Sequence, residues 1–162
     1  MASKPPSGSS GKRLLRYLMQ HNINLPEDYL HKALQLLAQG LMDAEVSQQI
    51  AASRYERRDS RRAYRNGYRT SQWRTHFGRI AVRVPKLRSG TYTPSFLDHP
   101  QSDMCLAQLA AEAFLYEPAL ERVREATDKI GVRLNMAQAA ALQGTLYDLV
   151  QHCQSAAANG GD

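Results

Sequence analysis

Cysteine is scarce in this 162-residue chain: Cys105 and Cys153 lie far apart and form no zinc-type spacing with the scattered histidines. No run of about 18 apolar residues is present. The N-terminus carries no apolar signal segment, and no glycine-rich loop suits a phosphate group. We therefore expect reduced thiols, no membrane span, no metal and no cofactor, in a cytoplasmic protein.

Aromatic residues make up only 7% of the chain and hydrophobic residues 43%, which is enough apolar material for one modest core. The length predicts one domain or two very small ones. Residues 1–11 and 154–162 are rich in small and polar residues, and we expect both to be disordered tails. Between them we predict a helical region (12–54), a basic arm with a β-hairpin (55–100) and a helical bundle (101–153).

Positive charge is concentrated in residues 54–88, which hold 12 of the 21 Lys and Arg residues and two acids, Glu56 and Asp59. The net charge of this window is +10 (12 − 2), and the remainder of the chain sums to −4 (9 − 13). Aromatic residues, among them Tyr64, Tyr68 and Trp73, are interleaved with the cations. Such a block is typical of a nucleic-acid contact surface, although a solvated basic face would look the same.

Apolar residues before the basic block recur every three or four positions, which predicts an amphipathic helix. They are Leu30, Ala33, Leu34, Leu37 and Leu41. Gly40 and Asp43 suggest a turn and a cap, so we predict helices over 29–39 and 44–52 joined by a turn at 40–43. This outline fits a helix-turn-helix, and it equally fits two short helices that only pack in a core.

The hydrophobic period changes to two within the basic block, and residues 72–76 and 79–84 are predicted strands joined by a tight turn at Phe77-Gly78. The alternation turns Ile80, Val82 and Val84 toward the protein and arginines to the other side. Residues 57–68 are predicted as a basic arm with a turn at Asn66-Gly67. Pro85 is expected to end the second strand, and residues 92–100 to form an extended linker.

The last third of the chain is rich in Ala and Leu at helical spacing. We predict helices over 103–116, from Pro118 and from Asn135, with Gly131 ending the second. The acids of these helices are expected on solvated faces: Glu112, Glu121, Glu125 and Asp128. The predicted fold class is therefore α+β, mainly α, with an N-terminal helical pair, a central basic arm with a β-hairpin and a C-terminal helical bundle.

Five elements in residues 55–97 occur in a characteristic order. They are Tyr55-Glu56-Arg57, Arg65-Asn66-Gly67-Tyr68-Arg69, Thr75-His76-Phe77-Gly78, Val84-Pro85-Lys86-Leu87-Arg88-Ser89-Gly90, and the aromatic and proline residues of 92–96. In this order and spacing the segment resembles the N-terminal region of Mutator-type transposases of bacterial insertion sequences.

The resemblance implies binding to duplex DNA at the terminal inverted repeats of a mobile element, in the cytoplasm at the nucleoid. We expect the contacts to come mainly from cations that neutralise phosphates. The candidate DNA-binding residues are Arg57, Arg65, Asn66, Arg69, Arg74, Arg79, Arg83, Lys86 and Arg88. Trp73 is expected to pack in the core, whereas Tyr64 and Tyr68 could either pack or stack on bases.

The family's catalytic part is a ribonuclease-H-like domain whose three carboxylates hold two metal ions. We find no β pattern and no spaced carboxylate set after Tyr116, so no catalytic residue is assigned and no catalysis by this chain alone is expected. Where the family carries polar contact residues in its second helical region, this chain has mainly Ala and Pro. We therefore expect its C-terminal helices to pack or to form a homodimer.

Two alternatives to sequence-specific DNA binding stay open at this stage. The chain could be an oligomerisation module that modulates an intact transposase through its helices. It could also bind RNA, because Arg and Tyr are interleaved in the basic block.

Overall fold

The computed structural model describes residues 10–22, 24–56, 65–88 and 90–159. The elements in chain order are α1 (Ser10–Gln20), α2 (Tyr29–Glu56), β1 (Arg65–Thr75), β2 (Gly78–Leu87), a 3-10 helix (Ser95–Asp98), α3 (Ser102–Ala113), α4 (Leu120–Asp128) and α5 (Met136–Asn159). The predicted fold class, α+β and mainly α, is confirmed. Residues 1–9 and 160–162 of the expected tails lie outside the described residues, but residues 10–11 belong to α1 and residues 154–159 to α5, which contradicts the prediction for those positions.

Helix α2 runs unbroken for 28 residues through Gly40, so the predicted turn at 40–43 and the N-terminal helix-turn-helix are wrong. A Cβ atom at Gly40 would lie 2.5 Å from Cδ2 of Leu142 in α5. The glycine therefore allows close packing of two helices and does not end one. Asp43 consequently lies inside α2 and is not the N-cap of a second helix. The predicted apolar face is largely correct, since Ala33, Leu34, Leu37 and Leu41 are fully buried.

Strands β1 and β2 form an antiparallel hairpin whose tight turn is His76-Phe77, one residue earlier than predicted, because Thr75 pairs with Gly78. Gly78 follows the turn with φ of 98°, a conformation that favours glycine. β1 begins at Arg65, seven residues (72 − 65) before the predicted strand. Asn66-Gly67 is not a turn but a β-bulge within β1, with a register shift between Arg65 and Tyr68.

Pro85 lies within β2 and does not end it, since the strand continues to Leu87. The backbone N–H and C=O of Arg83 point away from β1 toward α2. Pro85 is two residues further along, so its nitrogen faces the same outer edge. The missing N–H of the proline therefore costs the ladder no hydrogen bond.

Residues 92–100 are packed against the protein, which contradicts the predicted extended linker. Tyr92 and Phe96 are buried, and the Tyr92 hydroxyl donates to Oε1 of Glu45 in α2 at 2.5 Å. Burial raises the pKa of Glu45, and the hydrogen bond from Tyr92 offsets part of that rise. The segment thus fastens the end of β2 to α2 before α3 begins.

The C-terminal helices follow the predicted pattern, and the residues that end α4 and begin α5 act through contacts with their neighbours in sequence. Gly131 ends α4 with φ of 87°, and the N–H groups of Val132 and Gly131 donate to the carbonyls of Thr127 and Asp128, which is a Schellman motif. Asn135 accepts from the N–H of Gln138 at 2.8 Å, and Gln138 accepts in return from Asn135 at 3.1 Å. This reciprocal capping box starts α5.

Glu112 is a correction to the predicted solvated acids, because its side chain is 8% exposed and bound by Arg122 of α4. Nε and Nη2 of Arg122 lie 2.7 and 2.8 Å from the two carboxylate oxygens. Glu121, Glu125 and Asp128 are exposed, as predicted. The buried pair ties α3 to α4 inside a core to which α2, β2, α3, α4 and α5 all contribute.

Two glycine substitutions are expected to change stability in opposite directions. Gly131→Ala should lower the free energy of unfolding by about 1–2 kcal/mol, because alanine is strained at positive φ. Gly144→Ala lies in the exposed interior of α5 with nothing within 4 Å, and should raise it by about 0.5–1 kcal/mol. Urea unfolding measures both. Equal effects of the two substitutions would contradict the assignment of Gly131 as a helix-ending residue.

Candidate nucleic-acid interface

Helix α2 holds the open edge of β2 through three side chains spaced four residues apart. Nε2 of His31 lies 3.2 Å from the carbonyl oxygen of Arg79, and Nε2 of Gln35 donates to the carbonyl of Ala81 at 2.9 Å. The Gln39 amide both donates to the carbonyl of Arg83 and accepts from its N–H, at 2.8 and 2.9 Å. The helix thus takes the place of a third strand and fixes the hairpin's orientation.

The sequence prediction missed these three residues. Their spacing places them on one stripe of α2, beside its buried apolar face. That stripe was the signal available in the sequence. The partner of this stripe could not have been predicted, because no local feature of the sequence indicates a strand edge more than forty residues later.

The exposed side of the hairpin, which we call the outer face, carries three of the predicted arginines. Arg74 lies directly opposite Arg79, and Thr70 lies opposite Arg83. All three arginines are exposed, while Ile80, Val82 and Val84 are buried on the other side as predicted. None of the ion pairs between described residues involves these arginines. The outer face therefore presents several guanidinium groups that form no ion pair with another residue of the described part of the chain.

The remaining predicted residues do not all join the outer face. Asn66 lies in the bulge, and Lys86 and Arg88 are exposed near the same end of the hairpin. Arg69 is opposite Val84, so it lies on the other side of the strand pair, although it is exposed. Arg65 begins β1. Arg57 lies outside the described residues.

The aromatic residues of the hairpin divide into a core residue and a surface residue. Trp73 is 3% exposed, which confirms the prediction that it packs in the core. Tyr68 is 39% exposed, and the guanidinium carbon of Arg83 lies 4.5 Å from the centre of its ring. Tyr64 lies outside the described residues. Tyr68 is thus an aromatic platform on the outer face, occupied by an arginine.

The tip of the hairpin is anchored to the start of α3 by Asp103, whose side chain is 8% exposed. Its Oδ2 accepts from the backbone N–H of His76 at 2.5 Å and lies 2.6 Å from Nδ1 of the same residue. Oδ1 accepts from the N–H of Met104. The hairpin is therefore held at its β2 edge by α2 and at its tip by α3.

Asp103→Ala is expected to release the hairpin tip and to lower the free energy of unfolding by about 1–3 kcal/mol, because it leaves the His76 N–H without its acceptor. Amide exchange at His76 and Phe77 should accelerate. The matched control is Asp98→Ala, an exposed carboxylate, which should leave both readouts unchanged. Equal protection at the tip in the two variants would show that Asp103 is not its anchor.

The described part of the chain offers neither a metal site nor a membrane-spanning helix. Within it, no group of three or more His, Cys, Asp and Glu side chains could hold a metal ion. None of its helices combines the length and the apolar character needed to cross a membrane.

Comparison with known proteins places this chain among transposases of insertion sequences. Residues 10–155 match the sequence model of a protein family described as transposase, Mutator family. The chain belongs to the Mutator family of transposases, which confirms the resemblance found in the sequence.

Curated relatives are similar over part of their length. The chain is 30% identical over 127 residues to the transposase for insertion sequence element IS1081 of Mycobacterium tuberculosis, covering 76% of this chain and 31% of that protein. It is 27% identical over 104 residues to the ISRM5 transposase of Rhizobium meliloti, covering 64% and 26%. The chain thus spans about a third or less of these relatives. No solved structure matches it.

Proposed function

We propose that this chain is the DNA-binding part of a Mutator-type transposase and that it recognises the terminal inverted repeats of its element at the nucleoid. The outer face of the hairpin is the contact surface, and the cations at the bulged end extend it. The chemistry on the DNA strands is carried out by the part of such transposases that this chain does not span.

The observation that carries the proposal is the concentration of positive charge on the hairpin. Residues 65–88 contain six Arg, one Lys and no acid. Like charges directly opposite on a strand pair are destabilising, and Arg74 opposite Arg79 is such a pair. A polyanion neutralises both guanidinium groups at once, and a two-stranded ribbon fits the major groove of B-form DNA.

An equilibrium titration across a salt series tests the proposal. One duplex carries the terminal repeat of the element that encodes the chain, and the other carries the same bases scrambled. We expect tighter binding to the repeat. The logarithm of the association constant should fall linearly with the logarithm of the salt concentration. Equal affinity for the two duplexes would reduce the function to non-specific binding.

A single-stranded RNA of the same length distinguishes the RNA-binding alternative. A-form RNA has a deep, narrow major groove that a protein ribbon cannot read, so recognition of RNA relies on unstacked bases. Preference for the RNA over both duplexes would overturn the proposal.

A second candidate function, self-association through the C-terminal helices, is favoured by an exposed apolar patch. Leu115, Tyr116 and Tyr147 are 43%, 51% and 51% exposed, and they line a cavity of about 190 Å³ between the end of α3 and α5. Clustered exposed apolar groups mark interaction sites. Sedimentation at micromolar concentration is expected to show a dimer that Tyr147→Ser weakens. A monomer at that concentration would remove this candidate.

A further inference from the structure

Arg83 has contacts at both its backbone and its guanidinium, unlike the other cations of the outer face. Its backbone N–H and C=O are both bound by the Gln39 amide. Its guanidinium lies over the Tyr68 ring, 4.5 Å from the ring centre. Since Thr70 is opposite Arg83, Tyr68 is its diagonal neighbour across the strands. Among the described arginines, this stacked arrangement is found at Arg83 alone. The Tyr68 ring therefore restricts the positions open to the Arg83 guanidinium before any ligand binds.

A guanidinium that is held over an aromatic ring favours a ligand with two acceptors at fixed positions. Stacking leaves the in-plane N–H groups free, and their fork matches O6 and N7 of guanine in the major groove. A phosphate is also bound well by a lysine, which acts as a point charge without a plane. The pre-oriented arginine is therefore better suited to a base edge than the unstacked Arg74.

We propose that Arg83 is a specificity-determining residue that reads a guanine, and that Tyr68 is a positioning residue for its guanidinium. This inference rests on the proposed function, because it assumes that the outer face meets the major groove of duplex DNA. It goes beyond that function by separating one base-reading arginine from cations that neutralise phosphates.

Selection from a pool of duplexes with 20 randomised base pairs, using the whole chain, tests the proposal and does not require the target sequence to be specified in advance. The wild-type chain should enrich a motif that includes guanine. Arg83→Lys keeps the charge and should lose discrimination at one guanine position by about 10-fold to 100-fold while the rest of the motif persists. Arg74→Lys, the matched control on the same face, should leave the motif intact.

Two further measurements separate base reading from general packing. Replacing that guanine by 7-deazaguanine should weaken binding of the wild type about 10-fold and leave Arg83→Lys unaffected, since both changes remove the same contact. Tyr68→Leu should lose the same guanine position with unchanged affinity for a scrambled duplex, and Tyr68→Phe should restore it.

The outcomes distinguish this inference from the function on which it depends. A motif whose guanine positions are identical for wild type and Arg83→Lys would overturn the role of Arg83 and leave DNA recognition standing. No enriched motif for the wild type would overturn both. A guanine position lost equally in Arg74→Lys would show that any exposed guanidinium of the outer face can read guanine, so that the contact of Arg83 with Tyr68 does not carry the preference.

Discussion

Replacement of Arg74, Arg79 and Arg83 together by alanine is expected to lower the salt slope of duplex binding by about 2, because Arg74 and Arg79 each lose a phosphate contact worth about 0.9 of that slope, whereas Arg83 reads a base. Between 50 and 200 mM salt, the wild type should therefore lose about 12-fold more affinity than the triple variant (about fourfold in salt raised to the power 1.8). The side chains are exposed and make no ion pair with a described residue, so folding should be preserved.

The matched control removes the same charge elsewhere. Arg124, Lys129 and Arg133 are exposed on α4 and the loop that follows it. Their joint replacement by alanine changes the net charge equally. It should leave the salt slope within about one unit of the wild-type value. If the two triple variants reduced the slope alike, the binding would respond to net charge and not to the hairpin, which contradicts the proposed interface.

Glu112→Ala is expected to lower the free energy of unfolding by about 1.5–3 kcal/mol, because it leaves the partly buried guanidinium of Arg122 without two carboxylate acceptors. Glu125→Ala is the control, since Glu125 contacts the same arginine at 3.1 Å but is 60% exposed. Its loss should cost less than about 1 kcal/mol. Urea unfolding of the two variants measures the difference. Similar values for both would show that burial of the Glu112–Arg122 pair does not matter.

The same pair should make stability depend on pH. Burial by itself raises the pKa of Glu112, but hydrogen bonds and charge from Arg122, with help from Gln108 and Tyr116, outweigh burial and hold that pKa below its ordinary value of 4.5. A carboxyl with a depressed pKa contributes stability that is lost as pH falls through its folded value. We expect the unfolding free energy to decrease below pH 4.5 and Glu112→Gln to flatten that decrease. A parallel pH profile for the variant would contradict this assignment.

Several errors of the sequence-based predictions share one cause, a partner that is distant along the chain. Gly40 resembles a helix stop in isolation, but Leu142 makes it a close-packing position inside α2. Pro85 resembles a strand stop, and it is tolerated because the outer edge of β2 faces α2. Glu112 resembles a solvated acid until α4 folds back and places Arg122 against it.

Local sequence alone determined the features whose partners lie within a few residues. The alternation that buries Ile80, Val82 and Val84 follows from the two-residue period of a strand, and the ends of α4 and α5 follow from Gly131 and from the Asn135–Gln138 capping box. Tertiary structure decided which cations share a face, how α2 clamps β2 and which arginine is stacked on Tyr68. Those relations depend on strand register and helix packing, which are set by burial of one common core and not by neighbours in sequence.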